Sequence, residues 1–90
     1  MEFEWDADKA ARNLTKHRVA LAEAATVFGD PLAITFFDPG HSDDEDRYLT
    51  FGYSAEGRLL VVSHTDRGNC NRIISARVAT RRERKIYDEG

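Results

Sequence analysis

Three strand-like segments in the second half of the chain are joined by turns of only four residues. Residues 47–53 and 58–65 flank the turn 54–57 (Ser-Ala-Glu-Gly), and the turn 66–69 (Asp-Arg-Gly-Asn) leads into the segment 71–77. Such short connections require antiparallel neighbours, because a parallel pair needs a crossover of about a dozen residues or more. The sequence therefore predicts an antiparallel sheet across 47–77.

The middle segment of this sheet contains the apolar run Leu59-Leu60-Val61-Val62. A strand that faces solvent on one side alternates apolar and polar residues, whereas an unbroken apolar run is typical of a strand buried on both faces. We therefore expect helices to cover part of the sheet. In the preceding strand, Leu49 and Phe51 share one face.

The remaining patterns predict three helices and further strands. Residues 3–5 (Phe-Glu-Trp) alternate like a short strand, and residues 31–37 (PLAITFF) predict another before the turn Asp38-Pro39-Gly40. A short helix over about 20–28 ends at Gly29. Thr80 and Glu83 have the spacing of a capping box, which predicts that a C-terminal helix begins there.

The first predicted helix covers residues 7–17, with Asp6 as its N-cap. Ala10, Leu14 and His17 recur at helical spacing and define its expected buried face. A neighbouring face carries a basic stripe, with Asn13 beside it, formed by Lys9, Arg12 and Lys16. The element order is β-α-α-β-β-β-β-α. The predicted fold class is α+β: an antiparallel sheet of about four strands with two N-terminal helices and a C-terminal helix.

Length and composition exclude several classes of protein. Ninety residues suit one domain, 1–90, and no apolar run approaches the roughly 20 residues of a membrane span. The N-terminus, MEFEWDADK, is too acidic for a signal peptide. Cys70 is the single cysteine, which rules out an internal disulfide and disfavours a cysteine-based zinc site. The expected location is a reducing cytoplasm.

The net charge of −3 conceals a basic C-terminal region. Residues 71–87 carry six basic side chains against one acidic side chain, Glu83, whereas residues 1–57 are strongly acidic. A basic region on an acidic protein indicates a local anion site, and a solvated basic helix is the alternative.

A resemblance to a known family, the BrnT toxins, extends over nearly the whole chain. The matching motifs are Phe3-x-Trp5-Asp6, Lys16-His17-x-Val19, Ala24-x-x-Val27-Phe28, Asp38, Glu45-x-Arg47, Arg58 to Val62, Arg72 to Arg77 (RIISAR), Ala79-Thr80-x-x-Glu83-Arg84 and Tyr87. Two positions depart from the family pattern. Arg18 stands where the family usually has Gly, and Leu21 stands where it usually has Phe.

This resemblance implies a RelE-like fold and the toxin role in a type II toxin–antitoxin system. Such a toxin is an endoribonuclease that inhibits translation and arrests growth until a BrnA-type antitoxin neutralises it. The antitoxin would provide any contact with operator DNA, and the resemblance also implies a dimer of toxin–antitoxin pairs. The alternative function is a non-catalytic BrnT-like binding subunit that modulates DNA binding by its partner.

Cleavage of RNA without a metal requires activation of a 2′-hydroxyl, stabilisation of charge on the phosphorane and protonation of the leaving oxygen. Arginine donates two parallel N–H groups to phosphate oxygens, and lysine supplies a point charge. The sequence has no His-x-x-x-His pair, no aspartate-rich metal loop and no Gly-rich phosphate loop, so we expect neither a metal nor a cofactor. The candidate catalytic residues are Lys16, His17, Arg72 and Arg77.

The candidate RNA-binding residues are Trp5, Arg47, Arg81, Arg82 and Arg84. Each has a purely structural alternative. Trp5 could anchor the core rather than stack on a base, Arg47 could pair with the four acids before it, and the arginines after residue 80 could form a solvated helix face. His17 lies on the expected apolar stripe, where a semi-buried structural histidine is the alternative.

Arg72 and Arg77 also pose a geometric problem. They have opposite parity, so a regular strand directs them to opposite faces of the sheet. Both can serve one site only if a bulge intervenes or if one lies beyond the end of the strand. Ser75 has the parity of Arg77 and is expected beside it.

Overall fold

A computed structural model describes residues 1–41 and 45–90. Part of the predicted acidic loop 41–46 therefore lies outside the described residues. The strands are β1 (Glu2–Glu4), β2 (Ile34–Phe37), β3 (Arg47–Tyr53), β4 (Leu59–Asp66) and β5 (Cys70–Val78). The helices are α1 (Ala7–His17), α2 (Leu21–Thr26) and α3 (Arg81–Glu89), with 3₁₀ turns at Val27–Gly29 and Pro39–His41.

The five strands form one mixed sheet in the order β1-β5-β4-β3-β2. The α+β class and the antiparallel arrangement of β3, β4 and β5 are confirmed. The prediction of an all-antiparallel sheet of about four strands is wrong, because β1 adds a fifth strand parallel to β5. Since α1 and α2 carry the chain away from β1, the next strand, β2, joins the opposite edge and β1 pairs with the last strand instead.

The main core lies between the sheet and the two N-terminal helices. The apolar run of β4 is buried on both faces as predicted, and all four residues from Leu59 to Val62 are at most 2% exposed. Leu21, one of the two departures from the BrnT-like pattern, is fully buried in this core. The core residues are Val19, Leu21, Ala24, Val27, Leu60, Val62, Ile73 and Ala76. Among the described residues, no helix is long and apolar enough to cross a membrane.

The buried face of α1 differs from the prediction. Leu14 is 52% exposed, whereas Asn13 is 5% exposed. The Asn13 side chain donates to the carbonyl oxygens of Val19 and Ala76 at 2.8 and 2.9 Å, and it accepts from the Ala76 N–H at 3.0 Å. β1 pairs with β5 only as far as Arg72, so the edge of β5 at Ala76 has no neighbouring strand. The Asn13 amide takes the place of that strand. Because Asn13 faces β5, the neighbouring Leu14 lies on the surface of α1.

Helix α1 ends at His17, and Arg18, the other departure from the BrnT-like pattern, follows it as the C-cap. Arg18 has φ +57°, in the left-handed region, and its N–H donates to the carbonyl of Leu14 at 2.9 Å. A Cβ in this conformation crowds the backbone, which costs roughly 1–2 kcal/mol, so glycine is the common residue here.

We expect Arg18→Gly to raise the free energy of unfolding by about 1 kcal/mol, because relief of the Cβ strain exceeds the added entropy of the unfolded chain. Urea denaturation measures the change. Arg18→Ala removes the same charge but keeps the Cβ and should give no gain. A glycine variant no more stable than the alanine variant would contradict this account.

Candidate functional site

A bulge in β5 determines which side chains share a face of the sheet. Ser63 pairs with Ser75 but His64 pairs with Ile73, so Ile74 is an extra residue in β5. Arg72 and Arg77 therefore lie on the same face of the sheet despite their opposite parity, and this is the face that α1 and α2 do not cover. The bulge that the sequence offered as one alternative is confirmed, and Ser75 lies on the same face as Arg77.

We call this face, which α1 and α2 do not cover, the open face. The strand register arranges its side chains in rows across the sheet. One row contains Arg47, Thr65, Arg72 and Glu4; the next contains Phe36, Leu49, Ser63 and Ser75; and the third contains Ile34, Phe51, Val61 and Arg77. Arginines therefore flank a central row of small polar and apolar residues.

Arg77 forms a two-pronged ion pair with Glu83 at the start of α3. Its Nη1 and Nη2 donate to the two carboxylate oxygens at 2.6 and 2.7 Å. The same carboxylate accepts from the Thr80 N–H at 2.9 Å, and the Thr80 hydroxyl accepts from the Glu83 N–H at 3.2 Å, which confirms the predicted capping box. The hydrogen bonds from Arg77 are the main reason that the pKa of Glu83 falls to about 2. Glu83 is thus ionised at neutral pH and holds the Arg77 guanidinium in place.

Arg72 is paired at the other end of the open face. Its Nη1 donates to the Glu4 carboxylate at 2.7 Å, and the Cys70 thiol lies 3.5 Å from the other Glu4 oxygen. The hydrogen bond from Arg72 lowers the pKa of Glu4, whereas burial and the neighbouring Glu4 raise the pKa of Cys70. Cys70 therefore remains a thiol at neutral pH, and a nucleophilic role is not favoured.

Helix α3 contacts the rest of the molecule mainly through polar groups. Arg84 donates to the Tyr53 hydroxyl at 2.9 Å, and Tyr53 and Tyr87 make an edge-to-face ring contact at 5.3 Å. Tyr87 donates to the Asp30 carboxylate at 2.7 Å, which raises the pKa of Tyr87 to about 12. The exposed side of α3 forms a shallow basic groove lined by Arg81, Arg82, Arg84, Lys85 and Asp88.

The predicted site residues on α1 lie on the other side of the sheet. Lys16 and His17 line a shallow groove with Ile74, on the side where α1 packs against β5. Trp5, 36% exposed, lines a separate groove between α1 and α2. The strand register places Arg72 and Arg77 on the same face of the sheet. Among the described residues, Lys16, His17 and Trp5 line grooves away from that face.

The three histidines have different environments. His64 is 5% exposed; its Nε2 lies 2.7 Å from the Thr50 hydroxyl, and its ring contacts Phe28 edge-to-face. Burial lowers the pKa of His64, although the negative charge of Asp66 opposes this effect. His41 is exposed, with Nδ1 3.0 Å from Asp38. Within residues 1–41 and 45–90, no three His, Cys, Asp or Glu side chains are grouped as metal ligands.

We expect the free energy of unfolding to decrease as the pH falls from 7 to 6, a range in which the carboxylates with lowered pKa values stay ionised in both the folded and the unfolded state. Because burial lowers the pKa of His64 in the folded state, the unfolded state binds more protons below about pH 6.5. Urea denaturation at several pH values should give a slope of at most about 1.4 kcal/mol per pH unit from this group. His64→Gln should remove this slope, whereas His41→Gln should retain it. A slope that persists in a folded His64→Gln variant would exclude His64 as its source.

The sequence did not predict the roles of two residues at the site, Phe36 on the open face and Glu83 on α3. Phe36 reaches this face and is 42% exposed, but the segment PLAITFF does not reveal which phenylalanine points there until the strand register is known. Glu83 was predicted only as a capping residue. Its second role as the partner of Arg77 depends on where α3 docks, which no local pattern encodes.

Comparison with solved structures first identifies the class of fold. The chain resembles the 1.1 Å crystal structure of the Brucella abortus ribonuclease toxin BrnT, with a TM-score of 0.66 and 21% sequence identity. The match covers 90% of this chain and 99% of the Brucella chain. Comparison with curated proteins gave no significant match.

The family itself is identified by a sequence-family model. The model for the ribonuclease toxin BrnT of type II toxin–antitoxin systems matches residues 5–83. The chain therefore belongs to the BrnT family of ribonuclease toxins, as its sequence motifs indicated, and the family implies an antitoxin partner.

Proposed function

We propose that this protein is a metal-independent endoribonuclease whose RNA substrate binds on the open face. The observation that carries the proposal is the β5 bulge, because it puts Arg72, Ser75 and Arg77 on one face. Membership of a ribonuclease toxin family supplies the reaction class, and the arginines supply the chemistry.

Arg77 retains hydrogen-bonding capacity for a phosphate despite its ion pair. A guanidinium has five N–H donors, and the pair with Glu83 uses two of them. The Arg77 side chain is 40% exposed, so RNA can reach it from solvent. Glu83 restricts its orientation, and a donor fixed in advance stabilises developing charge at little cost of reorganisation.

In this mechanism, a ribose 2′-hydroxyl attacks the neighbouring phosphorus and the 5′-oxygen leaves. Arg77 donates to the non-bridging oxygens, where negative charge builds up in the phosphorane, and Arg72 and Arg47 bind flanking phosphates. The 2′-hydroxyl loses its proton as the 2′-O–P bond forms, and the 5′-oxygen gains a proton as its bond to phosphorus breaks, so the products are a 2′,3′-cyclic phosphate and a 5′-hydroxyl. Water can then open the cyclic phosphate to a 3′-phosphate. Glu83 is a poor general base because its pKa of about 2 is far from neutrality. Lys16 and His17 lie on the other side of the sheet, so proton transfer by either residue would require the RNA to extend past the edge of β5.

In the cell, the protein would act in the cytoplasm, where RNA cleavage would reduce translation. Growth would stop until a BrnA-type antitoxin neutralises the toxin. The antitoxin would cover the basic surface that includes α3, and it would contact operator DNA within a dimer of toxin–antitoxin pairs. Arginine is a frequent anchor in such interfaces.

The test combines purified protein with induction in cells. The protein should cleave single-stranded RNA equally with and without EDTA, leave 5′-hydroxyl ends, and arrest growth with a fall in translation. Loss of cleavage in EDTA would contradict metal independence. A folded protein that neither cleaves RNA nor arrests growth, but changes DNA binding by its antitoxin, would support the non-catalytic alternative.

A further inference from the structure

Two adjacent phenylalanines at the edge of the sheet point to opposite faces. Phe36 pairs with Leu49, which places it on the open face, whereas Phe37 pairs with Tyr48 on the side of α1 and α2. Both are exposed, 42% for Phe36 and 51% for Phe37. A single exposed aromatic ring is common on protein surfaces, so the residues that share its face decide whether it has a role.

Phe36 lies at one end of the central row of the open face. The row continues through Leu49 and Ser63 to Ser75 on β5, between the two arginines of that strand. Three interstrand spacings of about 4.8 Å make this row roughly 14 Å long, which accommodates a few nucleotides of an extended strand. An edge-to-face contact with Phe51, at a centroid distance of 5.4 Å, supports the Phe36 ring from below.

We propose that Phe36 is a base-stacking residue for single-stranded RNA that crosses the open face from β5 to β2. The phosphates lie near the arginines, and a nucleobase displaced from the cleavage position stacks on the exposed Phe36 ring. Cationic groups that follow a backbone, combined with aromatic rings that accept bases, are the usual elements of single-strand recognition. This inference rests on the proposed function and adds the path of the substrate across the sheet.

The charge distribution favours RNA over a protein segment as the occupant. Arg47, Arg72 and Arg77 lie on the same face as Phe36. Because Glu4 and Glu83 neutralise two of these charges, the excess positive charge comes from the groove of α3 at the Arg77 end, where four basic side chains outnumber Asp88. Trp5, the aromatic residue that the sequence suggested for stacking, lies in a groove between α1 and α2, away from these arginines. Phe36 is therefore the exposed aromatic ring that shares a face with them.

Binding of RNA that cannot be cleaved tests the proposal directly. The probe is a single-stranded RNA oligomer with 2′-O-methyl riboses, which removes the attacking hydroxyl, and with 2-aminopurine as a fluorescent base. Wild-type protein should quench 2-aminopurine at one position of the oligomer through stacking. Phe36→Leu should lose that quenching and bind on the order of tenfold more weakly, the lower part of the range for one stacked base.

Phe37→Leu is the matched control, since it removes a neighbouring exposed ring from the other face, and it should bind like wild type. Phe36→Tyr keeps a stacking surface and should restore quenching and affinity. Normal quenching by Phe36→Leu in a cleaving enzyme would overturn this proposal and leave the proposed function intact. A wild-type protein that binds no RNA would overturn both. Normal RNA binding by a Phe36→Leu variant that escapes its antitoxin would assign Phe36 to the protein interface instead, which also overturns the proposal.

Discussion

Arg77→Ala should reduce RNA cleavage by about 10²–10³-fold and abolish growth arrest. This factor is typical for the loss of one fixed donor to a developing oxyanion. The variant should still fold, because the Arg77 side chain is 40% exposed. Its stability should fall by about 1 kcal/mol, since Glu83 loses its two-pronged partner but keeps its capping bond to Thr80. Single-turnover cleavage and circular dichroism measure the two effects.

Three companion variants separate the possible reasons for this loss. Arg77→Lys should recover activity only in part, because a point charge does not replace two parallel donors. Glu83→Gln retains an acceptor for Thr80 but weakens the hold on Arg77, so it should lower the cleavage rate more than RNA affinity. Arg82→Ala, on the exposed side of α3, should weaken binding slightly and reduce its salt dependence. A folded Arg77→Ala protein with wild-type cleavage would remove Arg77 from the site.

Local patterns were sufficient to predict most elements of this fold. Helix α1 covers the predicted residues 7–17, although the Asp6 side chain makes no capping hydrogen bond, and the capping box of Thr80 and Glu83 marks the start of α3. The two short turns determine the antiparallel order of β3, β4 and β5. The partner of β1 could not be predicted in this way, because its pairing with β5 is non-local and neither strand encodes it.

The site was predictable only as a set of residues. The sequence identified Arg72 and Arg77, and their opposite parity required either a bulge or a position beyond the strand end to bring them together, but no pattern signalled a bulge at Ile74. The carboxylates that pair with these arginines, Glu4 and Glu83, come from β1 and α3, and each pairing depends on tertiary docking. Residue types therefore indicated the chemistry, whereas non-local pairing determined its geometry.

Asn13→Ala should lower the free energy of unfolding by about 3–5 kcal/mol, the largest effect on stability that we expect. The substitution removes three buried hydrogen bonds and leaves the Ala76 N–H and the carbonyl oxygens of Ala76 and Val19 without this partner. Each buried polar group left unpaired costs about 1–3 kcal/mol. A domain of this size is stabilised by only about 5–15 kcal/mol in total, so the variant should be close to unfolding at 37 °C.

The neighbouring position provides the control for this prediction. The hydrophobic pattern alone would bury Leu14, but its side chain is 52% exposed. Leu14→Ala should therefore lower the free energy of unfolding by less than about 1 kcal/mol. Asn13→Asp retains an acceptor for the Ala76 N–H but places a carboxylate against the two carbonyl oxygens to which Asn13 donates. Its free energy of unfolding should therefore be no higher than that of Asn13→Ala. Urea denaturation at pH 7 ranks the three variants. If Leu14→Ala proved more damaging than Asn13→Ala, the orientation of α1 against β5 would be wrong, and with it the role of Asn13 as the substitute for a neighbouring strand.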